Sequence, residues 1–174
     1  VSVQFDRLEQ FPQRVEIQES LAYVRQSGYF AAHFQQPLQL PATRLASAAV
    51  LILDERIAIF RGNPDTQRSI TTQAEAISAV YASEPGGSIA VPTGQVFLRL
   101  VEGVLVETQQ TIIQQAGYQV SEIVVYAPNA AWLRPRSGDI ADALRLLPRL
   151  EAIAPREAVE PQMVMGRSKR ELEG

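Results

Sequence analysis

The chain contains no cysteine, so disulfides, thiol nucleophiles and cysteine zinc sites are excluded, and redox compartment leaves no mark on it. Histidine is almost as scarce: His33, in Ala31-Ala32-His33-Phe34, is the only one. A Ser-His-Asp triad would have to enlist it, yet no Gly-x-Ser-x-Gly turn is present to shape a nucleophile. A partly buried histidine at a helix end is the simpler reading. Lysine also occurs once, at Lys169, leaving positive charge to arginine. The formal net charge of -3 argues against nucleic-acid binding, which needs a basic surface to neutralise phosphate. No apolar run is long enough to span a bilayer, so no membrane partner is expected. No basic stretch followed by an apolar core opens the chain as a signal peptide would, and a start at Val1 suits a fragment or a processed form. No motif asks for a cofactor.

What is present is ordinary globular material: 174 residues, 46% hydrophobic, enough for one or two cores. In the front part, Ile17, Leu21 and Val24 fall at i, i+4 and i+7, which predicts an amphipathic helix over residues 15–27, stopped by Gly28. A polar, proline-bearing stretch covers 35–41. Residues 50–53 and 57–60 read as two strands of a hairpin around Asp54-Glu55-Arg56, and Gly62-Asn63-Pro64-Asp65 as a turn. Thr72-Gln73-Ala74-Glu75 has capping-box spacing and predicts a helix to about Ala82 that buries Ala76, Ile77 and Val80. Pro85-Gly86-Gly87-Ser88 opens a linker ending near Gly94. Residues 1–90 are thus expected to form a small α/β region of two helices and a hairpin, with no chemical motif.

The closing part predicts a compact alternation. Residues 96–101 are a near-continuous apolar strand, covered on both faces. Glu102-Gly103 turns the chain into a helix over 105–116, with Leu105, Thr108, Ile112 and Ala116 on its buried face and Gly117 as its cap. A strand over 120–126, a turn at Ala127-Pro128-Asn129 and a returning strand over 130–134 follow. Ser137-Gly138-Asp139 offers N-cap oxygens to a helix that buries Ile140, Ala143, Leu144 and Leu147 and ends at Pro148. An irregular connection leads to a last strand over 159–165, placed at a sheet edge by Pro161. Two right-handed crossovers joined by a hairpin give an α+β, ferredoxin-like βαββαβ sandwich over residues 91–165, followed by a polar tail, 166–174. Both helices cover one sheet face, and the other is left to water or a partner.

Val91-Pro92-Thr93-Gly94-Gln95-Val96 running into Phe97-Leu98-Arg99-Leu100, then Ala116-Gly117-Tyr118, Ala130-Ala131-Trp132-Leu133 and Val159-Glu160-Pro161-Gln162-Met163, resemble the N-terminal prodomain of subtilisin-like serine proteases in its fervidolysin-type form. The resemblance covers residues 91–165. It implies a propeptide that serves as intramolecular chaperone and inhibitor, docking its open sheet on two surface helices of a subtilisin-like catalytic domain, in cis or in trans, with its tail in the substrate cleft. The docking residues would include Val124, Tyr126, Trp132, Glu160 and Gln162, and the inhibitory tail Met163, Val164, Met165, Gly166 and Arg167. Glu160 would cap a helix N-terminus of the protease, where the helix dipole favours negative charge. Arg167-Ser168-Lys169-Arg170 would be a processing site, and a secreted or periplasmic location is what the family favours. The Asp, His and Ser segments of a subtilase are lacking, so the chain is not expected to hydrolyse peptides.

Other readings of the same order are a ligand-binding or regulatory ferredoxin-like domain, for which Glu102-Gly103 is the first-turn loop, and an RNA-binding sheet, for which Phe97 is present but the charge is wrong. Acylphosphatase-like chemistry would use Arg99 and Asn129, but no glycine-rich loop surrounds the arginine.

Overall fold

Strands replace helices at the front of the chain. The structure is a computed structural model that describes residues 7–38, 48–168 and 170–173. In order, its elements are β1 (Arg14–Gln18), β2 (Leu21–Arg25), β3 (Tyr29–His33), β4 (Leu51–Leu53), β5 (Ile57–Arg61), α1 (Arg68–Thr71), β6 (Ala76–Ser78), β7 (Tyr81–Glu84) and β8 (Ser88–Leu100). Then come α2 (Gln110–Gln115), β9 (Tyr118–Val124), β10 (Ala127–Pro135), α3 (Ile140–Arg145), α4 (Leu147–Glu151), β11 (Arg156–Ser168) and α5 (Arg170–Glu173). Two compact units divide the chain: unit 1 is Val1–Val91 with Met163–Gly174, and unit 2 is Pro92–Gln162.

The expected ferredoxin-like fold class is overturned. The chain is mostly β, and its larger sheet has seven strands in the hydrogen-bonded order β1-β2-β7-β8-β10-β9, with β11 also on β8. The sandwich expected over 91–165 is not closed off at those limits, because β8 (Ser88–Leu100) and β11 (Arg156–Ser168) each run for 13 residues and pass beyond them. The sequence between Pro85 and Gly94 reads as a linker, yet only Pro85, Gly86 and Gly87 connect β7 to β8, with both glycines at positive φ. From Ser88 the chain is already strand, with Pro92 buried within it.

In unit 1, residues 15–27 form the β1–β2 hairpin, not a helix, with Val15 and Ala22 buried between exposed or half-buried neighbours. Val15, Ile17, Tyr23 and Val24 are β-branched or aromatic, and they fit a pleated surface better than a helix. The capping box at Thr72 does not form: Thr72 Oγ1 donates to the Arg68 carbonyl at the end of α1, and β6 and β7 occupy the region expected to be helical.

A second sheet has the order β4-β5-β3-β6. Its two central strands are apolar on both faces, so both faces are covered. Phe30, Ala32, Ala58 and Phe60 enter one cluster, capped by Ile70. Ala31, Ile57 and Ile59 enter another, which also holds Leu53, Val80, Ile89, Val91 and Leu172. The β4–β5 turn places Asp54 and Glu55 in the left-handed region.

In unit 2, Val96 and Leu98 of β8 pair with Leu133 and Ala131 of β10, and these two and Leu100 are fully buried. Tyr118 is also buried, and its hydroxyl donates to the Ala143 carbonyl at 2.7 Å. Of the face the first helix was expected to bury, Ala116 is inside, but Thr108 is exposed, Leu105 and Ile112 are each 43% exposed, and Val106 and Ile113 are buried in their place. Both positions move by one, from Leu105 to Val106 and from Ile112 to Ile113, so the seven-residue spacing holds while its phase is off by one residue, about 100° around a helix. Pro148 does not end helical structure; it sits in the first turn of α4, where no backbone donor is needed, and Leu150 behind it is fully buried. The β9–β10 turn falls at Val125-Tyr126, two residues before the expected one.

Gly117 closes α2 at φ +97°, and a Cβ there would lie 2.7 Å from Leu146 Cδ1. Gly117→Ala is therefore expected to cost about 1–3 kcal/mol from backbone strain and overpacking together. Gly103→Ala, at φ +89° with nothing within 4 Å, carries the strain alone and should cost less. Urea unfolding of the two variants side by side checks the order.

Candidate functional site

His33 and Ser78 are the first place to look for chemistry. His33 lies on β3, not at a helix end, with Nε2 2.8 Å from Ser78 Oγ. Ser78 is fully buried, and its hydroxyl donates to the Ala79 carbonyl at 3.1 Å. With that proton committed, Ser78 Oγ accepts from His33 Nε2–H. Burial lowers the His33 pKa to about 4, so the ring is neutral near pH 7. A histidine that donates to a serine cannot take that serine's proton, so the pair is a structural hydrogen bond. Among the described residues no three His, Asp or Glu side chains converge as a metal site, and no helix is long and apolar enough to cross a membrane.

The second place is the unit 2 sheet face that its own helices leave uncovered. Alternation along β8 turns Phe97 and Arg99 to that face, and the Trp132↔Phe97 and Ala130↔Arg99 register puts Trp132 on it. The Phe97 and Trp132 rings are 5.3 Å apart and tilted by 60°, each half-buried. Arg99 stacks its guanidinium 5.5 Å from the centre of the Phe97 ring. Glu122 on β9 lies opposite Trp132. On β11, Val159 and Pro161 are buried, whereas Glu160 and Gln162 between and beyond them are exposed. Gln162 Oε1 accepts from Thr93 Oγ1 at 2.8 Å, which ties the exposed side of β11 to that of β8. An aromatic pair, two carboxylates and a stacked arginine thus share one surface.

Of the docking residues read from sequence, Trp132, Glu160 and Gln162 come together here. Val124 is half-buried at the end of β9, and Tyr126 is 96% exposed in the hairpin turn, off the sheet face. Phe97, Arg99 and Glu122 were not read as docking residues. For the first two the signal was the period-two alternation Val96-Phe97-Leu98-Arg99-Leu100, which reads as a continuous apolar run only if Arg99 is ignored.

The third place is the chain's end, and here the expectation of a loose tail is corrected. Met163, Val164, Met165, Gly166 and Arg167 all lie within β11. Val164 packs against the apolar cluster of unit 1, and Met165 Sδ accepts from the Tyr23 hydroxyl at 4.0 Å. Leu172 in α5 is 1% exposed in that same cluster. Its carbonyl accepts from Tyr29 Oη at 3.0 Å and from Arg61 Nη2 at 2.8 Å. The physical reason is apolar surface: the second face of the small sheet needs cover, and Val164 and Leu172 supply part of it. Of the basic cluster at 167–170, Lys169 lies outside the described residues. Compared with protein-family models, curated proteins and solved structures, the chain has no match.

Proposed function

We propose that the chain is a non-catalytic, propeptide-like partner of a subtilisin-like serine protease, docking on the catalytic domain through the exposed face of the unit 2 sheet. The observation that carries docking is the one-sided burial of that sheet, with Phe97 and Trp132 held half-exposed at its centre. Large aromatic side chains flanked by polar groups are the usual anchors of protein interfaces. The class of partner rests on the resemblance of residues 91–165. The Val159-Glu160-Pro161 signature supports it, because it buries its valine and proline and offers its carboxylate on the docking side. A folding-template role follows from the same contact, since a partner that binds only the folded protease stabilises it by mass action.

The test is inhibition of subtilisin cleaving a chromogenic peptide, with the full chain as inhibitor. Slowing at micromolar concentration or below is expected, and Trp132→Ala should weaken it by about 30-fold, the loss of roughly 2 kcal/mol typical of an aromatic anchor. Circular dichroism confirms that the variant stays folded. No slowing by the wild-type chain at tens of micromolar, or equal slowing by the variant, would reject this surface as the contact.

A further inference from the structure

We propose that unit 1 is a receptor for the end of its own chain, a latch in which Leu172 is the captive group and which keeps Met163–Ser168 out of any cleft while it is closed. Three independent features of unit 1 point to it. Leu172 belongs to one apolar cluster with Ala31, Leu53, Ile59, Val80 and Ile89, and is 1% exposed although it sits in a helix of only 4 residues. Tyr29 and Arg61 converge on its carbonyl, reading the backbone of the segment as a peptide-binding site reads a ligand. Gly166 lies so close to the unit that a Cβ there would stand 3.1 Å from Leu53 Cδ2 and 3.2 Å from Ile89 Cβ. The segment is therefore clamped at its strand and plugged at its helix, while Arg167 and Arg170 between these points are exposed.

The ligand class follows from the site: a leucine-bearing peptide, narrow at the position six residues before the leucine, with a main-chain carbonyl aimed at a phenol and a guanidinium. In cis the site holds Met163–Ser168 and Leu172. Its consequence for inhibition rests on the protease reading above. A segment held this way is unavailable to a substrate cleft, so sheet docking and cleft occupation become separate steps, and opening the latch lies between them.

The test uses the full chain with Leu172→Asp, which expels the plug, and Gly166→Val, which displaces the strand and leaves the plug intact. Limited trypsin digestion followed by mass spectrometry reads cleavage after Arg167 and Arg170. In the wild type these bonds are cut slowly; each variant should speed them at least tenfold while cleavage after Arg99 and Arg145 in unit 2 and after Arg25 in unit 1 keeps its wild-type rate. A synthetic peptide of residues 163–174, added in excess, should compete with the captive segment and speed the same cleavage in the wild type. Unchanged rates at Arg167 and Arg170 in both variants would overturn the latch. So would acceleration at Arg25 to the same degree, since Leu172 would then be a core residue whose loss unfolds unit 1. Subtilisin inhibition is read separately: variants that open by proteolysis while neither they nor the wild type slow subtilisin would leave the latch standing and reject the protease.

Discussion

Phe30→Ala is expected to remove about 3–5 kcal/mol from the stability of unit 1. Phe30 sits on β3, which pairs with β5 on one side and β6 on the other, so no edge offers room to relax. Its ring is fully buried and stacked on Phe60, with centroids 5.4 Å apart and planes 24° from parallel. Truncation loses the transfer of the ring from water, leaves a cavity, and breaks an aromatic pair that adds about 0.5–1.5 kcal/mol. Its buried neighbours Ala32 and Ala58 are too small to fill the space, and Phe60 is held by its own strand. A domain typically has about 5–15 kcal/mol in hand, so the variant should stand near its unfolding threshold. Urea unfolding measured by circular dichroism checks the value, with Phe60→Leu as a milder companion. A loss under about 1 kcal/mol would mean that the two phenylalanines do not form the centre of this face.

What the sequence revealed and what it hid follow the range of the interactions involved. The turn at 54–56 and its two strands depend on neighbours, and β4 (Leu51–Leu53) and β5 (Ile57–Arg61) lie within one residue of the expected strands at 50–53 and 57–60. Gly117 adopts positive φ at the end of α2, as a helix stop requires; Gly28 also adopts positive φ, but between β2 and β3 and not at a helix end. Residues 15–27 misled because Ile17, Leu21 and Val24 satisfy helical spacing, while the competing state needs β7, whose Ser83 pairs with Tyr23 sixty residues away. No local pattern contains that pairing. The region 72–82 failed for the same reason: Ile77 lies opposite Ala32 of β3. The tail was hidden most completely, since its polar letters conceal one leucine that meets Tyr29 at a separation of 143 residues. At the candidate site, Trp132 and Glu160 were legible because the motifs around them are short and local. Phe97 and Arg99 were not, since their face is decided by the register of β8 with β10. The ferredoxin-like reading failed at its limits: proline and glycine at 92 and 94 look like a boundary, but the strand runs through both.

Acidification from pH 7 to pH 4 is expected to cost unit 1 about 3 kcal/mol through His33 alone. Burial is the cause of its lowered pKa, about 4 in the fold against 6.5 for an unperturbed histidine. The unfolded chain therefore takes up a proton near pH 6.5 that the folded chain refuses until about pH 4, and within that window protons favour the unfolded state. Stability from this residue is complete above pH 6.5, falls as the pH drops through the window, and changes no further once both states are protonated. The packing explains why no neighbour relieves the cost. His33 faces Ile57 on β5 and Ala76 on β6, its carbonyl is taken by the Glu75 amide, and its Nε2–H is spent on Ser78. A second proton would place a cation where the strand partners on both sides are aliphatic. His33→Gln keeps an amide donor for Ser78 and carries no titrating group, so its stability should be flat across the same window. Urea midpoints at pH 7, 5.5 and 4 for both chains give the comparison. A wild type that loses no more than the glutamine variant would show that water reaches the ring and that the buried Ser78 hydroxyl is not its partner.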